Sequence, residues 1–403
     1  MLLSEASSLT AREFTTVLGS SGVEIEAVSP VATPIVRFSR WCRRIHHAPA
    51  PSIDPIGYLN RVDALMATGS FDALLPTHEQ AWLFAAGRDL LPHATMAIAP
   101  LEAFDQVQSK TAFATLLDAL GLPQPAWRLV ETASDLNTLG FPVWVKAAFS
   151  TAGRGVARAS DLAEARSLWR QLTSAEPSVP VMVQASAEGR YAQVQGLFDH
   201  GRLIASAVSE QLATGAGGSA AARLSVDHPQ AIEAIRTLGR HLGWHGGLTL
   251  DYLHVDGRPS FIECNPRTIE PGNAAAAGVD LPMLTIALAT GGDLPSAPLA
   301  TRGGVRTRST MAIALGAAEQ YRSRRAVLAG VRDAVRQRTP LQDSTEVLTP
   351  VRSDPPSLVP FTVALATVLA SPARVASLAG STVETYAVTP QAVDRLRAPR
   401  PRT

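Results

Sequence analysis

The chain is short of cysteine. Cys42 and Cys264 are the only two in 403 residues. They lie far apart and form no metal-ligand spacing, which disfavours a disulfide framework or a cysteine-built zinc site and fits a reducing, cytoplasmic compartment. Net charge is also missing. Lys plus Arg number 36 against 35 Asp plus Glu, leaving +1, so there is no global electrostatic case for a nucleic-acid or membrane partner. The longest apolar stretch, at 358–370, falls short of the ~20 residues of a membrane span, and Pro360 interrupts it. It reads as a buried helix, with an interfacial helix as the lesser alternative. Met1-Leu2-Leu3-Ser4-Glu5 lacks the basic start and apolar core of a secretory signal. No fixed-period repeat is visible.

What is present fits a soluble globular protein of two or three domains, with 46% hydrophobic and 18% charged residues. In the first hundred residues, strand patterns at 23–28 and 71–76 alternate with helical patterns at 12–19 and 79–86, which predicts a small parallel α/β domain. It has no Gly-x-Gly-x-x-Gly turn, so no dinucleotide site is assigned there. Ser109 then caps a helix closed by Gly121. Strand patterns follow at 141–159 and 179–184, then a hairpin turning at Asp199-His200-Gly201, and then a helix at 229–242. Beyond 293 the chain is arginine-rich, mostly helical, and broken by prolines at 340–360. Its arginines read as a solvated helix face.

Chemistry concentrates at Phe261-Ile262-Glu263-Cys264-Asn265-Pro266-Arg267. On a strand, Glu263 and Asn265 share a face while Cys264 takes the other. Pro266 ends the ladder because it has no donor, and Arg267 sits just past that end. Asp251, on the preceding strand, joins them only if the connection has the right length. A two-residue Asp256-Gly257 turn would pair Asp251 with Ile262 and leave Glu263 on the opposite face. A three-residue loop, Val255-Asp256-Gly257, pairs Asp251 with Phe261 and sets it diagonally beside Glu263. Clustered carboxylates suit a divalent cation, so the three-residue loop is the expectation. Two carboxylates and an amide oxygen form a hard ligand set suited to magnesium, with manganese as an alternative, and Arg267 adds a donor for phosphate oxygens.

A second constellation lies upstream. The strand at 141–146 ends in Lys146, and Ser150-Thr151-Ala152-Gly153-Arg154-Gly155 follows. Small residues and glycines there let backbone amides approach phosphate oxygens, as in a hairpin lid over a nucleotide. It is not a P-loop, because no Gly-Lys-Ser/Thr follows. Lys110 is a second candidate cation for the phosphates. Gln184 ends a strand that can offer an adenine edge its backbone, and Glu188 could accept from ribose hydroxyls. The stretches 211–223 and 268–273 are candidate substrate-facing segments.

Taken in order, Ser109-Lys110, the strand ending in Lys146, the loop at 150–156, Val181-Met182-Val183-Gln184, Leu250-Asp251-Tyr252 and Ile262-Glu263-Cys264-Asn265-Pro266-Arg267 resemble the ATP-grasp superfamily. Within it they look like the carbamoyl-phosphate-synthase-like ligases. The resemblance implies an ATP-grasp fold, α/β and α+β: an N-terminal α/β domain at 1–104, an ATP-grasp domain at 105–293 with its lid at 125–186, and a mostly helical region at 294–403. It implies ATP and Mg2+ as cofactors. Lys110, Lys146, Ser150, Thr151, Gly153, Arg154, Gly155, Gln184 and Glu188 would bind the nucleotide. Asp251, Glu263 and Asn265 would hold the metal, and Arg267 and Lys146 would stabilise the transferred phosphoryl group. The implied activity is an ADP-forming ligation of a small carboxylic acid to an amine. Carboxyphosphate or carbamoyl-phosphate chemistry and a non-catalytic nucleotide-binding protein are the alternatives, and a homodimer is an open expectation.

Overall fold

The computed structural model describes residues 1–149, 155–176 and 179–397. Four parallel strands open the chain: β1 (Leu2–Leu3), β2 (Ile25–Ser29), β3 (Cys42–His47) and β4 (Leu74–Leu75), in the order β3-β2-β1-β4. The first helix, Leu9–Ser20, is capped by the Ser8 side chain, which accepts from Ala11 N. Leu3, Ala11, Phe14, Leu18, Ile25 and Ala27 form one core on this sheet. The small parallel domain is present, with two strands longer than two residues and two that are barely strands at all.

A second four-stranded sheet holds β5 (Trp127–Val130), β6 (Val143–Ala147), β7 (Val156–Ala159) and β8 (Val181–Ala185), ordered β5-β8-β6-β7 and antiparallel throughout. Alternation decides its two faces. Val143, Val145, Val181 and Val183 pack under the amphipathic helix Leu162–Ala175. Trp144, Lys146, Met182 and Gln184 therefore point the other way, towards the third sheet.

The third sheet has eight strands: β9 (Arg190–Asp199), β10 (Arg202–Thr214), β11 (Ala220–Ser225), β12 (Gly246–Val255), β13 (Arg258–Asn265), β14 (Leu299–Ala300), β15 (Arg306–Arg308) and β16 (Thr345–Glu346). Its order is β13-β12-β9-β10-β11-β15-β16, with β14 pairing β10. The β9–β10 hairpin turns at His200 (φ 45°) and Gly201 (φ 86°), as its sequence predicts. Helix Pro229–His241 covers one face with Ala231, Ile235 and Leu238. The candidate substrate-facing stretch 211–223 is mostly strand: β10 runs to Thr214 and β11 begins at Ala220. Strands β14, β15 and β16 come from beyond residue 293, so the mostly helical C-terminal region also extends this sheet.

Two features of that region bear on the expectations. Helix Leu358–Ala370 is not buried: Val368 is, whereas Leu358, Val359 and Val363 are exposed. Its residues are apolar all round, and only one stripe can lie against helices Thr310–Tyr321 and Arg324–Val335. Arg324, Arg325, Arg332 and Arg336 are solvated, as expected. The region is anchored to the first helix by a fully buried ion pair, Arg12 to Asp354 at 2.5 Å, and Asp354 also accepts from Arg40 N at 2.8 Å. Arg12→Ala leaves a buried carboxylate without its counter-charge, so it should cost about 3–5 kcal/mol. Urea unfolding of the variant checks this; a loss under 1 kcal/mol would show the pair is dispensable.

Candidate nucleotide and metal site

The cleft lies between the open face of β6–β8 and the face of β12–β13 opposite helix Pro229–His241. Asp251 sits directly opposite Glu263, Leu250 opposite Cys264 and Thr249 opposite Asn265. Neither the expected three-residue loop nor the expected pairing of Asp251 with Phe261 forms. Val255 pairs with Arg258, so the turn is the two-residue Asp256-Gly257, with φ of 51° and 78°. Tyr252 then pairs with Phe261, and a bulge at Ile262 shifts the register by one. That extra residue restores Asp251 and Glu263 to one face. The carboxylates meet because of the bulge, not because of a longer loop.

Asn265 Nδ2 donates to Asp251 Oδ2 at 2.9 Å, leaving its own amide oxygen free to ligate. Asp251 Oδ1 is buried without a hydrogen-bond partner. Burial pushes the Asp251 carboxyl up to about 7, and the facing Glu263 adds to this. An orphaned acceptor oxygen, a facing carboxylate and a free amide oxygen are what a hard cation would satisfy, so the donor set fits Mg2+. Glu263, 40% exposed to the cleft, has Lys110 Nζ on its Oε1 at 3.2 Å. Burial acts to raise its carboxyl, but Lys110, Lys146 and Arg267 outweigh this and hold it below the usual range.

Lys146 is buried and gives its ammonium to Gln184 Oε1 at 2.6 Å and to Ile262 O at 3.4 Å. Burial drives its pKa down to about 8; Glu263 opposes the shift and Lys110 reinforces it. Lys110 starts the helix Lys110–Ala119 that Ser109 caps, and its backbone N donates to Ala148 O at 2.9 Å. Glu263 is thus ion-paired with Lys110, while the Lys146 ammonium acts on it only through the field.

The remaining expectations divide. Gly155 has φ 80° and its carbonyl accepts from Ala147 N. Ser150, Thr151, Gly153 and Arg154 lie outside the described residues. Gln184 lies in the cleft, with its amide oxygen on Lys146. Glu188 stands exposed in the link to β9 and makes no ion pair among the described residues. Arg267 is half-buried at the end of β13; its Nε has no hydrogen-bond partner, and it lines a cavity of about 20 Å3 with Phe14, Pro76, Trp244 and Thr268. Cys264 faces away and is buried, as its parity requires.

Some groups were missed. Gln193 lies opposite Asp251 and Gln195 opposite Thr249, and both carry buried amide atoms without partners. With Tyr191 they form a polar stripe along β9, and that period-two placement within an apolar strand was the available signal. The two segments singled out as substrate-facing do meet. Arg223 of β11 donates from Nε and Nη2 to Glu270 Oε2. Glu270 adopts φ 42°, and Gly272 N donates to Glu13 Oε2 of the first helix at 2.9 Å. Burial and Glu270 together push the Glu13 carboxyl up to about 8. Glu13 and His78, which is half-buried with its Nδ1 buried and without a hydrogen-bond partner, come from the first domain. No local pattern marks them.

Over 191 residues the chain is 27% identical to the carbamoyl phosphate synthase large chain of Saccharolobus islandicus, covering 44% of this chain but only 18% of that one. No family model matches the chain. Two solved structures share its architecture. One is the biotin carboxylase domain dimer of Hydrogenobacter thermophilus 2-oxoglutarate carboxylase, in complex with MgADP, ADP and bicarbonate. It aligns with a TM-score of 0.59 at 14% identity, over 76% of this chain and 72% of that one. The other is the L-amino acid ligase of Bacillus licheniformis, with a TM-score of 0.52 at 14% identity, over 72% and 73%. The chain has the ATP-grasp fold. No helix among the described residues is long and apolar enough to cross a membrane.

The Asp251–Glu263 pair makes a prediction that requires no substrate. The folded Asp251 carboxyl titrates near 7, above its ordinary 3.8. A raised acid contributes stability that is full below the unfolded pKa and lost as pH rises towards the folded value. Without metal, the chain should therefore lose stability between about pH 4 and 7. Mg2+ should raise the melting temperature more at pH 8 than at pH 5.5. An equal shift at both would separate Asp251 from the metal.

Proposed function

We propose that the chain is an ATP- and Mg2+-dependent ligase that activates a small carboxylic acid as an acyl phosphate and joins it to an amine, releasing ADP and phosphate. The observation that carries this is the convergence of Lys110, Lys146, Asp251, Glu263, Asn265 and Arg267 on one cleft between two sheets. Lys110 and Lys146 bind the phosphates. Gln184 fixes the Lys146 ammonium, and the backbone beside it can meet the adenine edge. Ser150, Thr151, Gly153, Arg154 and Gly155 supply lid contacts, and Glu188 a ribose contact. Asp251, Glu263 and Asn265 would hold Mg2+, which when bound neutralises charge on the transferred phosphoryl group; Mn2+ has the same donor preference. Arg267 faces that group from the strand end. The acid's carboxylate oxygen bonds to the γ-phosphorus as the bond to ADP breaks. The amine nitrogen then bonds to the acyl carbon, phosphate leaves, and the amine gives up a proton. No protein nucleophile is required, because positioning and electrostatics carry phosphoryl transfer.

The division into 1–104, 105–293 and 294–403 is part of the proposal, as are a cytoplasmic location and a homodimer. Hydroxylamine tests the chemistry. With ATP, Mg2+ and a carboxylic acid that elicits ADP release, it should trap the acyl phosphate as a hydroxamate. ADP release from every such acid without hydroxamate would refute it. The likeness to carbamoyl phosphate synthase favours a second reading, in which bicarbonate is the carboxylate. ADP release that needs only bicarbonate would favour that reading. Tight ATP binding with no phosphate release across a broad acid and amine panel would leave a non-catalytic nucleotide-binding protein.

A further inference from the structure

A second cluster lies on the other face of the large sheet, under helix Pro229–His241. Glu210 of β10, His228 just before that helix and His254 of β12 all turn inward and are buried. We propose that Glu210, His228 and His254 bind one divalent transition-metal ion of the zinc type, separate from the magnesium site.

The spacing is that of a coordination shell. Glu210 Oε1 lies 3.1 Å from His254 Nε2 and 3.6 Å from His228 Nε2. One ligand atom from each residue falls within 4.8 Å of the others. Tetrahedral ligands at the ~2.0–2.1 Å bonds zinc makes stand about 3.3 Å apart. Well-formed hydrogen bonds do not close the cluster, although Glu210 lies near enough to act on the His254 imidazole. His254 Nε2 is buried and has no partner of acceptable geometry, although a carboxylate oxygen is 3.1 Å away. The 3.6 Å separation at His228 is too long for a hydrogen bond.

The surroundings orient the three groups. His228 Nδ1 meets the Tyr252 hydroxyl at 2.9 Å, which directs Nε2 into the cluster. Arg190 holds the other Glu210 oxygen at 3.1 Å and leaves Oε1 to ligate. Asp227 and Asp256 lie close enough to act on the two imidazoles, so three carboxylates outweigh the exposed Arg190. Burial lowers the pKa of both histidines, favouring the neutral, ligating form. Ligation through His254 Nε2 places its proton on Nδ1, so the 3.2 Å contact from Gly257 N is given up. That amide belongs to the half-buried Gly257 beside the exposed Asp256, within reach of a replacing water. Two imidazoles and one carboxylate select a borderline ion over magnesium and leave one position to water. The ion would pin the start of helix Pro229–His241 to the strand that carries Asp251 on its other face.

A second group, Asp199, His200 and His245, is the competitor for such an ion, though His200 is exposed and Arg202 already takes an oxygen of Asp199 at 3.1 Å. The test uses Co2+ as a spectroscopic probe, added to chelator-stripped full-length chain in excess Mg2+. The doubly substituted chain His200→Ala, His245→Ala should keep about one Co2+ per chain, with visible bands of low-symmetry nitrogen coordination, and Zn2+ should displace it. Zn2+ should also raise its melting temperature by several degrees, on the order expected for a native-state ligand in excess. His254→Gln, which keeps a polar side chain, should lose both the bands and the shift. No Co2+ retained by the double variant would overturn the site, as would bands that survive in His254→Gln. If His254→Gln does not fold, the double variant alone decides.

Discussion

Glu263→Gln should lower ATP turnover by about 10²–10³-fold, the size seen when one electrostatic contact to a transferring group is removed, with the fold intact. Glu263 serves two partners: it faces Asp251 across the bulge, and it takes Lys110 at 3.2 Å. Neutralising it removes one metal ligand and part of what keeps Lys146 charged. It also removes a like charge from Asp251, so the Asp251 carboxyl should fall from about 7 towards its ordinary range. The magnesium dependence of the melting temperature at pH 8 should shrink accordingly. Phosphate release across a magnesium titration checks the first effect, and thermal unfolding with and without Mg2+ checks the second. Full turnover at limiting Mg2+ would remove Glu263 from the metal site.

Lys146→Ala should raise the ATP requirement by about 10- to 100-fold, corresponding to a charge-assisted contact of about 1.5–3 kcal/mol. The wild-type pH profile carries the same information with a definite sign. The buried ammonium loses its proton near pH 8 in the free chain, so kcat/KM for ATP should fall as pH rises through that value. Bound phosphates favour the ammonium, so the limb in kcat should lie at higher pH. In Glu263→Gln the limb in kcat/KM should move to lower pH, because the anion that opposes desolvation is gone. A kcat/KM profile flat from pH 7 to 10, or wild-type ATP dependence in Lys146→Ala, would show that Lys146 does not meet the nucleotide.

How far the sequence went can be judged residue by residue. Parity alone placed Glu263 with Asn265 and turned Cys264 away, because side chains alternate strictly along a strand. The same reasoning placed Lys146 on the open face of its sheet. Asp251 reached the correct face by an incorrect route, opposite Glu263 rather than its expected partner Phe261. A bulge adds one residue without changing composition, and Ile262 is an ordinary strand residue, so nothing in the pattern marks it. Strands β1, β4, β14 and β16 have two residues each, too few for any periodicity to register. The contacts from Glu13 to Gly272 and from Arg223 to Glu270 span 259 and 47 positions. Such pairings are set by how sequence-distant segments pack, which local pattern does not encode. Helix Leu358–Ala370 is the opposite failure: apolar composition read as burial, where only one stripe finds partners.

The central claim is that ATP enters the cleft between Lys146 and the Asp251–Glu263–Asn265 platform and is held there through a divalent cation. Calorimetric titration of ATP into the chain, with Mg2+ and then with a chelator in its place, tests it most directly. ATP should bind tightly with Mg2+, at least tenfold more weakly without it, and show no such dependence in Glu263→Gln. Affinity unchanged by Mg2+ removal, or equally magnesium-dependent in wild type and Glu263→Gln, would contradict it.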